Sequence, residues 1–466
     1  GMTRFGAVRG VFPGWAAIPK RRFEKRRYFV LVVAEPPFPP FHHSTFPPPS
    51  TGAIPALTMP APQKSLDKAL LYRSKGITMS IIVKKFGGTS VGNTDLIQNI
   101  ARKIAREKRA EDSLVLVVSA MAKTTDDLVK LAYGISDHPS RRELDMLLTA
   151  GERISMSLLS LALQNEGLES ISFTGSQSGI ITDNKHGNAR ILNVNAFRIN
   201  QELEKGKIVI VAGFQGVSQD KEITTLGRGG SDTSAVALAC YLTASRCEIY
   251  TDVAGVYSAD PRLVEKPHLL RNIGYAQMLA LAYSGSKVLH PRAVEFAYKY
   301  RIPVEVKSSF TFEAGTLIHD KKEENMEERS INAIANKQGL LRLELAREER
   351  LNGLLRNWNN EIFKYRVEKD RVELVVEEKY QSEIRYQLGQ AGIPILAEQE
   401  DVGQVTLVGL GINLDPGFLA ATLELCEPFS VERIQHSDQT IELTLPSNQV
   451  NECVAALHKA FIGDAK

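Results

Sequence analysis

Cysteine is scarce in this 466-residue chain: Cys240, Cys247, Cys426 and Cys453 are the four present, none in CxxC spacing. That excludes a disulfide scaffold and a zinc finger, and makes reduced, cytoplasmic thiols the default expectation. No apolar run approaches the roughly 18 residues of a membrane span. The longest candidate, residues 28–34, is far too short, so no membrane partner is expected. A charge excess is also missing, with 57 Lys+Arg against 54 Asp+Glu and a formal +3. Absent too are GxxxxGK(S/T), GxGxxG, a protein-kinase catalytic loop and any His pair at zinc spacing.

What is present divides unevenly. Hydrophobic residues make up 43%, enough for a substantial core, and the length suits two or three domains. Residues 1–78 hold 12 Lys/Arg against 3 Asp/Glu, and 12 of the 21 prolines. The remainder is mildly acidic. Runs such as Pro47-Pro48-Pro49 favour polyproline II and forbid helix or central strand. The composition of 1–78 reads as a disordered, Pro-rich basic extension, with a targeting peptide or a nucleic-acid arm as alternatives. Folded-looking sequence begins at Met79, and no nucleic-acid partner is expected.

From residue 79 to 319, short apolar runs alternate with segments of helical period. Residues 81–83, 114–118, 208–212, 248–251 and 304–306 read as strands, and 94–109, 141–165, 232–244 and 291–300 as helices. This alternation implies an α/β sandwich with a mainly parallel sheet. Residues 320–330 are a charged linker. Beyond it, paired strands separated by single helices spell βαββαβ over 331–399. A second copy over 400–466 stops one strand short. Residues 331–334 are the spare strand, expected to pair into the second copy and tie the two together.

Three glycine-rich turns follow strands: Lys85-Phe86-Gly87-Gly88-Thr89-Ser90, Gly213-Phe214-Gln215-Gly216, and residues 224–232 (TTLGRGGSD). Paired glycines let backbone N–H groups converge on an anion, and a following helix adds partial positive charge. One such turn is ordinarily only a turn. Three in one domain, two carrying Lys85 or Arg228, point to phosphate binding.

Four motifs carry a family resemblance: KKFGGTSVGN (84–93), TTLGRGGSDTSA (224–235), YTDVAGVYSADPR (250–262) and GSKVLHPRAVE (285–295). Together they resemble aspartokinase, of the amino acid kinase superfamily, from about residue 81 to 318. The two later units resemble that family's paired ACT domains. The resemblance implies a three-layer αβα sandwich followed by two ferredoxin-like units. The implied reaction is ATP plus L-aspartate to 4-phospho-L-aspartate, the first step toward lysine or diaminopimelate, threonine and methionine.

The same resemblance assigns the site. Lys85, with the amides of Gly87 and Gly88, would offset phosphate charge, and Asp232 would orient Lys85. Adjacent Lys84 reads as a solvated lysine. Arg228 would fork onto the substrate carboxylate, with Ser231 beside it, and Glu152 would meet the ammonium. Ser119 and Thr125 match polar substrate contacts, although Ser and Thr at strand ends commonly cap helices. Lys85, Phe86, Gly87, Gly88, Thr251, Asp252, Tyr257, Arg262, Lys287 and Val288 would bind ATP, with Mg²⁺ held by phosphates and water and no protein metal ligands. Taken alone, Asp260-Pro261-Arg262 is a capped turn, and Glu152 a surface helix residue.

A homodimer through the ACT units is implied. The first unit opens its helix on Arg347, Glu348, Glu349 and Arg350, where the family has a small glycine-bearing effector loop. The second keeps GLGIN (409–413), where lysine or threonine could bind, or which is only a tight turn. A non-catalytic amino-acid sensor would need a broken site, and Lys85, Arg228 and Asp232 are all present.

Overall fold

The computed structural model describes residues 80–320, 330–358 and 361–463. The basic extension and most of the charged linker lie outside the described residues. In chain order the strands up to residue 319 are β1 Ser80–Phe86, β2 Asp112–Val118, β3 Ser170–Phe173, β4 Ile180–Thr182, β5 Ile191–Val194, β6 Ile208–Ala212, β7 Gln215–Ser218, β8 Ile223–Thr225, β9 Arg246–Thr251, β10 Asn272–Gly274, β11 Val304–Ser308 and β12 Thr316–His319. Between them come α1 Thr94–Glu107, α2 Thr124–Tyr133, α3 Arg141–Leu148, α4 Ala150–Asn165, α5 Phe197–Glu204, α6 Gly230–Tyr241, α7 Tyr275–Tyr283 and α8 Pro291–Tyr300.

The main sheet runs β10-β12-β11-β9-β1-β2-β6-β3 and is parallel except between β11 and β12. A parallel sheet covered on both faces selects uninterrupted apolar strands, and Leu114 through Val118 are all buried. One face packs on α1 and α4 through Ile97, Ile100, Ile104, Leu159 and Leu163. The other packs on α6, α7 and α8 through Val236, Met278, Val294 and Ala297. These are the three layers. After β1 the chain builds outward through β2, and it returns through α6 to place β9 on the other side of β1. Such a reversal leaves a crevice at the carboxyl ends of the strands. A small second sheet, β5-β4-β7-β8, stands beside that crevice.

The single helix expected over 141–165 is two. The Thr149 carbonyl accepts from Gln215 Nε2 at 3.3 Å, and the helix is interrupted at this residue. Residues Arg141–Asn165 together match a membrane helix in length and composition, but α4 lays Met156, Leu159 and Leu163 against the sheet.

The C-terminal region comprises β13 Ser330–Ala346, α9 Glu349–Asn357, β14 Ile362–Val367, β15 Arg371–Glu377, α10 Gln381–Gln390, β16 Ile395–Leu410, α11 Pro416–Cys426, β17 Arg433–His436, β18 Thr440–Pro446 and α12 Val450–Phe461. Its strands form one sheet, β14-β15-β13-β16-β18-β17. Residues 331–334, expected as a separate spare strand, run on into the opening strand of the first repeat as one β13. Residues 330–337 pair with 404–410, and 340–345 pair with 395–402, with an irregularity between Lys337 and Leu340. The irregularity, with Gly339 at φ 66°, does not end the strand, so β13 and β16 each serve both repeats. Each half keeps the ferredoxin-like strand order 4-1-3-2.

Candidate active site

At the crevice lies a cleft of about 630 Å³ whose lining includes Lys85, Ser119, Glu152, Arg228, Ser231 and Asp232. Gly88 and Thr125 also face it. The pleat of β1 sends adjacent side chains to opposite faces. Lys85 therefore points into the cleft, where Nζ lies 2.6 Å from Asp232 Oδ1. Lys84 points the other way and is not the solvated lysine expected. It is 9% exposed and sits 3.2 Å from Glu248. Burial alone would raise the Glu248 pKa, but Lys84, Lys307 and Arg246 hold it near about 2.

Asp232 and Ser231 ride on the first turn of α6, whose N-cap is Gly229 at φ 64°. A Cβ there would lie 2.3 Å from the His290 side chain, so both the backbone angle and the close packing call for glycine. The helix N-terminus thus reaches the cleft and brings its unpaired amides with it. Gly88 is equally constrained, since a Cβ would stand 2.9 Å from the Ala120 carbonyl. The Gly87 amide, expected to meet phosphate, donates instead to the Tyr250 carbonyl at 3.2 Å. It is engaged in holding the β1–β9 turn.

Glu152 is no surface residue: it is 3% exposed. Its Oε1 accepts the Ala120 amide at 3.0 Å, while Oε2 is buried without a protein partner. Burial pushes its pKa up to about 7. A buried carboxylate oxygen facing a cleft is set up to receive a cation.

Sequence reasoning missed Asp145. It is fully buried, bonds His186 Nδ1 at 2.8 Å and accepts from Thr225 Oγ1 at 2.5 Å and the Gly187 amide at 3.1 Å. It ties α3 to the loop between β4 and β5 and to β8, and so shapes the cleft wall. On the single helix expected over 141–165, Asp145 precedes Glu152 by seven residues, two turns on one face, although the break at Thr149 divides them between α3 and α4. Arg141, Glu361 and Tyr380 also line the cleft. The last two come from the C-terminal region.

The residues expected to bind nucleotide lie apart from this lining, except Lys85 and Gly88. Thr251 ends β9 and Asp252 follows it, with Thr251 Oγ1 bonding Asp252 at 3.0 Å. Tyr257 pairs with Leu269 in an isolated bridge. The Arg262 side chain is 73% exposed and folds back on Asp260, with Nη2 to Oδ2 at 2.5 Å. That bond holds the Asp260 carboxyl below the ordinary range. Lys287 is exposed and Val288 packs on the core. The Phe86 ring is fully buried, stacked on Tyr250 at 4.8 Å, so only its backbone can take part. Among the described residues no group of three His, Cys, Asp or Glu could hold a metal.

Comparison with known proteins adds to this geometry. A family model described as "Amino acid kinase family" matches residues 80–308. Aspartokinase 2 of Bacillus subtilis is 42% identical over 410 residues, covering 82% of this chain and 98% of that protein. The aspartokinase of Mycolicibacterium smegmatis is 38% identical over 409 residues, covering 82% and 96%. Among solved structures, E. coli aspartokinase III with aspartate and ADP is 25% identical, covers 81% of this chain and 99% of that one, and superposes with a TM-score of 0.70. The same enzyme with lysine and aspartate gives a TM-score of 0.63.

Proposed function

The chain belongs to the aspartokinase family, and we infer from that premise and the cleft geometry how it transfers the γ-phosphoryl group of ATP to the side-chain carboxylate of L-aspartate. One observation carries the reading: a paired lysine, a guanidinium, a helix N-terminus and a half-satisfied buried carboxylate converge on one cleft.

The nucleophile needs no general base, because a free carboxylate of pKa about 3.9 is already ionised at neutral pH. The difficulty is bringing one anion against another. Like charges at about 4 Å repel by about 1 kcal/mol in water and about 4 kcal/mol at an effective dielectric of 20. Lys85 and the α6 N-terminus offset that repulsion and stabilise the equatorial oxygens as charge spreads over them. Asp232, itself an anion, acts by fixing Lys85. Arg228 takes the substrate α-carboxylate with Ser231 beside it, and Glu152 Oε2 takes the ammonium. Ser119 and Thr125 complete the polar wall.

ATP enters from the β9 side, with Thr251, Asp252 and Tyr257 near the nucleoside and Arg262 and Lys287 near the phosphates. Mg²⁺ would be carried mainly on the ATP phosphates and water. It would supply charge neutralisation on the phosphates. The four cysteines are free and buried, which suits a reducing, cytoplasmic setting. The paired C-terminal units support association into a homodimer and response to an amino-acid effector such as lysine or threonine.

The test is incubation with ATP, Mg²⁺, L-aspartate and hydroxylamine. Aspartyl hydroxamate is expected. Hydroxamate from another amino acid and none from aspartate would overturn the substrate assignment.

A further inference from the structure

The loop between β9 and β10 carries Tyr257 and Arg262, yet the kinase domain does not hold it alone. Ala259 and Val264, on either side of Asp260 and Arg262, are buried in one apolar cluster with Ile334 of β13 and with Val454 and Leu457 of α12. The C-terminal region therefore supplies part of this loop's core.

Between Tyr257 and Ala259 stands Ser258, fully buried with its backbone and side-chain polar groups all engaged. Its amide donates to the His268 carbonyl at 2.8 Å, and its carbonyl accepts the Ile334 amide at 2.7 Å. Its Oγ accepts the His268 amide at 2.8 Å and lies 2.8 Å from Nε2 of His458, which is buried on α12. The His268 bonds close the loop on its own returning segment. The other two cross to the C-terminal region, one from the backbone and one from the side chain. A single bond fixes a distance and leaves rotation about it free, whereas two in different directions remove that freedom. Neither group has water to turn to, so the loop keeps its place only while both partners keep theirs.

We propose that His458 is a positioning residue for ATP: through Ser258 Oγ it holds the loop that presents Tyr257 and Arg262 to the nucleotide. Lys85 and Arg228 lie off this loop, so turnover and aspartate binding do not depend on the bond. This rests on the reading of residues 251–262 as part of the ATP site.

The experiment compares His458→Phe, His458→Gln and Ser258→Ala with wild type, as full chains, in the hydroxamate assay with ATP and aspartate varied in turn. Phenylalanine keeps a ring and loses the nitrogen. A neutral bond of ordinary strength predicts a KM for ATP raised about fivefold in His458→Phe, with kcat and the KM for aspartate within twofold. Glutamine sets an amide about where Nε2 stands, and should return the KM for ATP to within twofold of wild type. Ser258→Ala also frees the His268 amide, so its rise should be at least as large. Adding His458→Phe to Ser258→Ala should then change the KM for ATP by less than about twofold, because both act through one bond. A KM for ATP unmoved in Ser258→Ala overturns the inference, even where His458→Phe yields no folded protein. So do effects that multiply in the double variant, or a joint loss of kcat, both affinities and thermal midpoint in His458→Phe that glutamine does not reverse. If Tyr257→Ala and Arg262→Ala both leave the KM for ATP unmoved, the reading of the loop falls and this inference with it. If either raises it while Ser258→Ala does not, the inference falls alone.

Discussion

The two halves of the active site are built differently. The half proposed to bind aspartate is largely enclosed: Glu152 is 3% exposed, Ser231 8%, and Asp145 ties the wall together, although Arg228 itself is exposed. In the half proposed to bind nucleotide, Asp252, Arg262 and Lys287 are exposed and Thr251 and Tyr257 half-buried, and two of these side chains are already engaged, Asp252 by Thr251 and Arg262 by Asp260. Acceptor recognition is thus preformed, whereas nucleotide recognition needs partners to be exchanged. Preformed groups lose little entropy on binding, and groups that must first release a neighbour contribute only the difference. Lys85 stands at the junction of the two halves, so its loss should be felt by the chemistry and by neither binding step. Lys85→Ala is expected to lower kcat about 10²- to 10³-fold with both KM values within about threefold, measured by steady-state kinetics.

Arg228→Ala separates the halves most cleanly. It removes a bidentate partner from the enclosed side only. The KM for aspartate should rise about 50-fold, from a charge-assisted pair of about 1.5–3 kcal/mol, with the KM for ATP unchanged within twofold. A comparable rise in both values would show that the halves are not independent.

How far the sequence carried this contrast depends on the residue. Glycine turns and apolar strands advertise themselves, since backbone approach and two-sided burial each leave a local pattern. The α/β sandwich and the cleft residues Lys85, Arg228 and Asp232 were legible for that reason. Long-range geometry leaves no such mark. That Lys84 meets Glu248 follows from the pairing of β1 with β9, 164 residues downstream in register at Lys84↔Glu248. That the Gly87 amide is engaged by Tyr250 follows from the same pairing. The running-on of the spare strand 331–334 into one long β13 was hidden because its two halves are joined across an irregularity and held together by pairing with β16 on either side of it. Tyr380 could not be found from local pattern, because it reaches the cleft only through the packing of the C-terminal region on the first domain.

Titration sharpens the comparison further. Burial raises Glu152 from 4.5 to about 7, so its neutral form gains population as pH falls through 7. Only the ionised form attracts the substrate ammonium. The KM for aspartate should therefore rise toward lower pH, approaching tenfold per unit below about pH 7, while the KM for ATP stays flat. The substrate's own carboxylates titrate near 4, outside this window. Glu152→Gln should show a high KM for aspartate without that slope. A slope that survives the substitution would assign it to another group.

The smallest expected effect belongs to the exposed half. Arg262 already has a partner in Asp260, in a bond 2.5 Å long on a side chain 73% exposed. Surface pairs of this kind contribute at most about 1 kcal/mol, and a phosphate that draws the guanidinium away must first break one. Arg262→Ala removes a phosphate ligand but also the bond that competes with it. The KM for ATP should rise only about two- to fivefold, with no change for aspartate. Asp260→Asn should move the same constant the other way, because the guanidinium no longer has a charged neighbour to leave. If Asp260→Asn weakened ATP binding instead, Asp260 would be holding Arg262 in its binding position. The nucleotide half would then be as preformed as the aspartate half.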